Sequence, residues 1–381
     1  MKKILFITTR NPFSGRFSGD VIRSSRIIKF LRKKYNVDVL FLGEEEKLNT
    51  NRNITYSFKS PNYLLKIYYC LKSFLKLQPI QFGLFHSPKL KNYVQQNSYK
   101  YNILFFHQIR SVQYLPEGYK GKTILEMGDL YSQNYYQTYK NISLFNLFFY
   151  FYFIESLLVK KLENKSFNLF NKIILFSRKE INQINNKFRK KINHIPESVS
   201  IIKKEYKFSK KNYKILFIGK LGYLPNKLAC TDFVKKILPK ISLKFPDIEF
   251  HIIGNINRID KFLLTMNSKV KVIGQKKIIN KYIKKSICGL ANLKIATGVQ
   301  GKVLTYMSFG LPAICSNKIS SNFGSATINY KNEKELINHI IQLKLNKKKS
   351  QAYSKKSQNY IKNFMWKRIS ANYNKLIKNL F

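Results

Sequence analysis

Residues 295–316, Ile-Ala-Thr-Gly-Val-Gln-Gly-Lys-Val-Leu-Thr-Tyr-Met-Ser-Phe-Gly-Leu-Pro-Ala-Ile-Cys-Ser, read as a strand end, a glycine loop, a helix start, a helix stop and the next strand. Gly298 and Gly301 let the backbone come close to a ligand. A helix opening near Lys302 aims unpaired N–H groups and the positive end of its dipole at whatever binds there. Lys302 adds a full positive charge at the same spot. Gly310 and Pro312 then close the helix after about two turns and send the chain into the apolar run Ala313 to Cys315. The layout makes an anion site; the competing reading is an ordinary βα connection carrying one of many lysines.

The same alternation extends outward on both sides. Downstream of residue 213 the pattern predicts a strand at 215–218, a helix at 228–243, strands at 248–253 and 270–273, a helix near 278–285 and a strand at 287–290. At the other end, a strand at 4–7 precedes a loop with Ser18, Gly19, Asp20 and Arg23. A helix with Ile27, Ile28 and Leu31 on one side follows, then a strand at 37–42, which together form a βαβ start. Such repetition predicts parallel sheets covered on both faces, with ligands outside the carboxyl ends of the strands. A chain of 381 residues suits two domains, and the polar stretch 197–212 is the natural linker.

The chain carries 70 basic against 19 acidic residues, a net charge of +51. That charge alone suggests nucleic acid, but the basic residues are spread along the chain and no RNP, zinc or helix-turn-helix pattern accompanies them. Lysine, asparagine, isoleucine, tyrosine and phenylalanine are abundant together, as codon bias in an AT-rich genome produces. So charged a chain is still drawn to anionic surfaces. Cys70, Cys230, Cys288 and Cys315 form no C-x-x-C pair and read as free thiols in a reducing compartment. Met1-Lys2-Lys3 precedes only a short apolar strand, without a signal-peptide cleavage site. The stretch 144–159 is the most membrane-like and too short to span a bilayer; it reads as a core helix or as a surface helix touching lipid.

The 295–316 segment is similar to the donor-binding segment of family 4 glycosyltransferases, especially bacterial exopolysaccharide and lipopolysaccharide members. Gly298-Val299-Gln300, Lys302-Val303-Leu304, Met307, Gly310 and Pro312 stand at the matching places. Residues 217–226, with Gly219, Lys220, Gly222 and Asn226, resemble the first strand and loop of that family's C-terminal domain. Gly19-Asp20-x-x-Arg23, residues 78–85, 124–129, Glu155, Glu163 and 174–180 also fall in the family's order.

The resemblance implies an α/β fold of the GT-B type, two Rossmann-like domains facing across a cleft. The N-terminal acceptor-side domain takes 1–197, a linker 198–213 and the donor-binding domain 214–350. A C-terminal helix in 351–381 is expected to cross back toward the first domain. It implies a retaining transfer of sugar from a nucleotide-sugar donor to a surface-polysaccharide or lipid-linked acceptor. Lys220 and Lys302 are then the phosphate cations, with Gly219, Asn226, Thr297, Gly298, Val299, Gln300 and Thr305 around the donor. His107, also taken as catalytic, and Arg110 follow the strand at 102–106 and face the cleft. Asp129 orients acceptor or sugar, or caps a helix; Gly19, Asp20 and Arg23 touch acceptor or phosphate, or mark a plain helix start.

No Asp-x-Asp occurs, so no metal and no cofactor is expected, the nucleotide-sugar being a substrate. One departure stands out: the family's glutamate after Lys-Val-Leu is Thr305 here, and the partner eight residues earlier is Thr297. A GT-B protein that binds sugar nucleotide with lost or altered chemistry, such as epimerisation, is therefore the alternative reading. The expected partners are donor, glycan acceptor and an anionic membrane surface, with no nucleic acid, and the expected place is cytoplasmic, peripheral on the inner face of the membrane.

Overall fold

The computed structural model describes residues 2–15, 18–49, 53–199 and 205–381. It separates into two compact units, Met1–Glu197 with Ile369–Phe381, and Ser198–Arg368. Both units start their sheets with the same pentapeptide, Lys-Ile-Leu-Phe-Ile, at Lys3–Ile7 and Lys214–Ile218. Four consecutive apolar residues have no polar face to turn to water, so each strand lies in the interior of its sheet with helices on both sides.

In the first unit the strands are β1 (Lys3–Ile7), β2 (Asn36–Gly43), β3 (Glu46–Asn49), β4 (Ile54–Lys59), β5 (Ile103–His107), β6 (Lys122–Gly128), β7 (Lys172–Leu175) and β8 (Ile192–His194). They lie in the order β3-β4-β2-β1-β5-β6-β7-β8, parallel except for the β3–β4 pair. Ile4, Leu5, Phe6, Ile103, Leu104, Phe105 and Phe106 are fully buried, which fixes the β1–β5 register at Ile4 opposite Ile103. Because all the central strands run the same way, their carboxyl ends share one edge.

The second unit has β9 (Lys214–Ile218), β10 (Glu249–Ile253), β11 (Val270–Gly274), β12 (Ser286–Ala291), β13 (Ala313–Ser316) and β14 (Ile328–Tyr330). Their order is β11-β10-β9-β12-β13-β14, all parallel. The strand order reverses on either side of β9, the place where a crevice opens in sheets of this type.

Several elements differ from the sequence reading. The helix expected at 228–243 starts earlier, at Leu224–Asp232, passes through a π turn at Phe233–Ile237 and resumes at Leu238–Lys244. Pro239 has no N–H to give to the preceding turn, and the wider π turn takes up that missing bond. The expected 278–285 helix is one turn, Asn280–Ile283. The terminal helix is two, Lys347–Ile361 and Trp366–Lys378, broken by a 3₁₀ turn at Lys362–Phe364. The break arises because Met365 is extended and bridges Val199. The stretch 197–212 is more than a linker: Glu197 belongs to the first unit, the second begins at Ser198, and Tyr206 is buried in its core. Residues 200–204 of that stretch lie outside the described residues.

Candidate functional site

In the second unit, the helix Gly301–Ser308 starts just after the glycine loop and ends at Phe309. Gly310 lies at φ +71; its N–H reaches Met307 O at 2.9 Å and Leu311 N–H reaches Tyr306 O at 3.0 Å, the paired bonds of a Schellman stop. At the opposite end Gln300 occupies the cap position without a side-chain capping bond, because its amide donates to Thr297 O at 2.9 Å instead. The Gln300 side chain therefore leaves the first N–H groups of the helix alone. Gly298 takes φ +62 and its carbonyl accepts from Asn322 Nδ2 at 2.9 Å. Thr297 and Val299 flank it half-buried.

Lys302 is half-buried, with Nζ donating to Asn226 Oδ1 at 2.6 Å and lying 4.0 Å from the Phe217 ring centroid. Burial pulls its ammonium down to about 7. The neighbouring thiols of Cys230 and Cys315 are themselves pushed up by burial, so they stay neutral and offer no counter-charge. The site holds a lysine short of an anion.

Asn226 is the brace, donating its Nδ2 to Lys220 O at 2.8 Å while its oxygen holds Lys302. Gly219 is required beside it, since a Cβ there would sit 2.7 Å from Asn226 Nδ2; at Gly254, φ +157, a Cβ would come within 1.9 Å of Gly219 O. The carboxyl ends of β9 and β10 thus touch backbone to backbone. Lys220 follows with an exposed side chain. Tyr306 locks the helix under this loop, its hydroxyl accepting from Ile218 N at 2.8 Å and donating to Leu290 O at 3.1 Å. Thr305 half-faces solvent and donates its hydroxyl to Gly301 O at 2.9 Å. The structure brings Gly219, Lys220, Asn226 and Lys302 together.

The first unit gathers a second polar cluster at the carboxyl ends of β1, β5, β6 and β8. Its hub is Glu126, wholly buried inside β6. His107 Nδ1 lies 2.5 Å from Glu126 Oε2, Arg23 Nε lies 2.8 Å from Oε1 and Tyr373 donates its hydroxyl to Oε1 at 3.2 Å. Burial works to raise this carboxyl, but Arg23, His107 and Tyr373 overcome it and hold it below the ordinary value. An ionised carboxylate only accepts, so the His107 proton sits on Nδ1. His107 Nε2 is buried without a hydrogen-bond partner among the described residues.

Arg23 stacks 4.4 Å from the Phe176 ring centroid and lies 3.9 Å from Glu197. Gly19 opens the helix Gly19–Leu31, and a Cβ on it would meet Glu197 Oε1 at 3.5 Å. Asp20 pairs with Arg10 at 2.6 Å; burial works to raise it, and Arg10, Ser18, His107 and Arg110 together bring it below its usual value. Arg110 lies 4.7 Å from the Phe85 ring centroid and 5.9 Å from that of Tyr131. Asp129 does not cap the next helix, Tyr131–Tyr139, whose cap position is Leu130. Its Oδ1 is buried without a hydrogen-bond partner among the described residues, and burial pushes it up to about 7 against the pull of Arg23.

Sequence reasoning assigned no role to Glu126, Glu197, Tyr306 or Tyr373. Glu126 had a signal, an acid inside an otherwise apolar strand; Tyr373, 247 residues away from it along the chain, had none. Among the described residues no group of three or more His, Cys, Asp or Glu is placed to hold a metal, and no helix is long and apolar enough to cross a membrane.

Residues 212–346 match the family model described as Glycosyl transferases group 1. No curated protein sequence matches the chain. Among solved structures it is similar to a sucrose-phosphate synthase from Thermosynechococcus elongatus, at 14% identity and TM-score 0.75, covering 100% of this chain and 99% of that one. It is also similar to an α,α-trehalose-phosphate synthase from Burkholderia xenovorans, at 9% identity and TM-score 0.67, and to Anabaena HepE in complex with UDP and glucose, at 12% and 0.64, each covering 100% of both chains. The chain thus has the two-domain α/β fold of the GT-B type, and its residues 212–346 match the group 1 glycosyl transferase domain.

Proposed function

We propose that the enzyme moves a sugar from a nucleoside-diphosphate donor to a glycan or lipid-linked acceptor of surface-polysaccharide assembly, with retention at the anomeric carbon and without a metal, at the inner face of the membrane. One observation supports this above others: the uncapped start of the Gly301–Ser308 helix and the half-buried, anion-deficient Lys302 coincide inside the group 1 domain. When the glycosidic bond to the nucleotide breaks, negative charge grows on the leaving diphosphate. Helix N–H groups, Lys302 and the exposed Lys220 stabilise that charge, and a donor of this kind is worth roughly 3 to 4 kcal/mol. With cations of its own, the site has no need of Mg²⁺ or Mn²⁺ to hold the phosphates.

On the acceptor side, His107 presents Nε2, with Glu126 fixing the proton on Nδ1. Retention follows when the acceptor hydroxyl attacks the face the nucleotide leaves, its proton passing to a leaving phosphate oxygen. HepE is a neighbour bound to UDP, which makes UDP-sugars the first donors to test. The experiment measures UDP release and product anomer from a UDP-sugar panel, with and without EDTA. The α-linked product from an α-linked donor, unaffected by chelation, is expected. Activity lost to EDTA and restored by Mn²⁺ would refute the metal-independent reading, and an inverted anomer the retaining one.

A further inference from the structure

The first unit turns a large apolar surface to solvent. The helix Tyr63–Leu75 buries only Ser73 of its 13 residues, leaving Tyr63 77% and Leu75 80% exposed. The helix Leu147–Leu169 buries its second half, from Glu155 onward, and exposes its first: Leu147 is 85% exposed and Phe145, just before it, 99%.

These two apolar helices are joined through one short element. The turn Gln81–Leu84 packs on the first so closely that a Cβ on Gly83 would lie 2.2 Å from Cys70 N, and Tyr69 lies 4.6 Å from His86. The same turn is tied to the second by Glu155, which accepts from Ile80 N at 2.7 Å and Gln81 N at 3.2 Å. The turn thus links the two exposed apolar surfaces, and large exposed apolar surfaces mark interaction sites.

Charge decides what covers it. Lys66, Lys72 and Lys76 edge the first helix, and no acidic residue occurs between Glu46 and Glu117. Lys140, Lys160 and Lys161 flank the second, and between Asp129 and Glu163 the only acid is Glu155, spent on backbone N–H groups. A second copy of a chain with net charge +51 would bring lysines against lysines. An anionic bilayer satisfies both halves of the surface at once. Phe, Tyr and Leu enter the acyl boundary while the lysine stems reach back to phosphate headgroups. Neither helix is long and apolar enough to cross a membrane, so a bilayer would take both in its interface.

We propose that the Tyr63–Leu75 helix and the start of the Leu147–Leu169 helix form one docking surface for an anionic lipid bilayer. It deepens the membrane part of the reading above, and vesicle binding is measured without turnover, so its failure and that of the transferase assignment are separate events. The test is flotation of the full chain with phosphatidylcholine vesicles, with or without phosphatidylglycerol, across a salt series. The exposed pairs Leu64→Glu with Leu75→Glu, and Phe145→Glu with Leu147→Glu, are compared with Lys66→Gln, Lys72→Gln and Lys76→Gln combined. Wild type is expected to float with the anionic vesicles, each set to weaken binding at least tenfold, and unfolding temperatures to stay put. Protein left in the soluble fraction, binding equal to wild type in both apolar pairs, or equal flotation with neutral vesicles would overturn the proposal. So would a wild-type dimer in sedimentation velocity that the apolar pairs dissolve, which would make the patch an interface between copies.

Discussion

Nucleotide binding has to change the proton count at Lys302. Burial pulls this ammonium down to about 7, so at pH 8 only about one site in eleven carries the charge before ligand arrives. A diphosphate in contact removes the penalty and returns the lysine to about its ordinary 10.4. Binding then takes up about 0.5 proton at pH 7, about 0.9 at pH 8 and close to one at pH 9, and affinity falls nearly tenfold per unit above pH 8. The terminal phosphate of the nucleotide titrates at about 6 and is settled in this range. Calorimetric titration of UDP at pH 8 in Hepes and in Tris, buffers of different ionisation enthalpy, gives the proton number directly. Lys302→Met keeps the apolar stem and should bind UDP with no uptake. Zero uptake in wild type, or the same uptake in the variant, would refute the placement of Lys302 against phosphate.

Four further outcomes follow from the same geometry. Gly254→Ala forces a Cβ against Gly219 O and should cost at least tenfold in UDP affinity, read by the same titration, with thermal unfolding as the check on the fold. Glu126→Ala strands a buried Arg23 and should cost about 3 to 5 kcal/mol in urea unfolding at pH 7; since the native carboxyl is held below its ordinary value, that contribution is full above about 4.5 and fades on acidification, so the two proteins converge at low pH. Asp129 is pushed the other way, up to about 7, so the native state keeps a proton the unfolded state has released and wild type loses stability as pH rises from about 4 to 7; Asp129→Asn should flatten that slope in melts across pH. Thr305→Glu should tighten UDP by about 1 to 2 kcal/mol, because a carboxylate accepts both ribose hydroxyls, and unchanged affinity would mean that residue 305 does not face the donor.

The parts of the fold that could be read from sequence are those where one local rule decides. The helix closed by Gly310 is such a case, since only a residue tolerant of φ +71 makes that stop, and so are the apolar runs of β1, β5, β9 and β12. The missed parts depend on partners far along the chain. The β3–β4 pair has short strands without an apolar run. The Tyr63–Leu75 helix turns its apolar residues outward and buries only Ser73, the reverse of the pattern that marks a core-facing helix. Asn226 was legible as a position in a loop, but not as the brace between Lys220 O and Lys302. The Glu126 hub was not legible, because Arg23, His107 and Tyr373 reach it from three separate elements.

The few acids of this chain are placed where they are needed inside, while its basic excess faces outward. Of 19 acidic residues, Glu126, Glu155, Glu163, Glu180 and Asp260 are buried, and each has a defined task inside. Glu155 holds the N–H groups of Ile80 and Gln81, Glu163 the backbone and hydroxyl of Ser132, Glu180 the N–H of Leu130, and Asp260 the ammonium of Lys227. In the first unit Glu155 and Glu163 tie the Gln81–Leu84 turn and the Tyr131–Tyr139 helix to the Leu147–Leu169 helix. Neutralising a surface lysine would change little there, whereas removing Glu155, Glu163 or Glu180 would leave backbone N–H groups unsatisfied. On the proposed reading, the lysines left without acidic neighbours act outward, Lys302 on diphosphate and those along the Tyr63–Leu75 helix on lipid phosphate. On that reading a single imbalance of charge serves both the donor site and the docking surface.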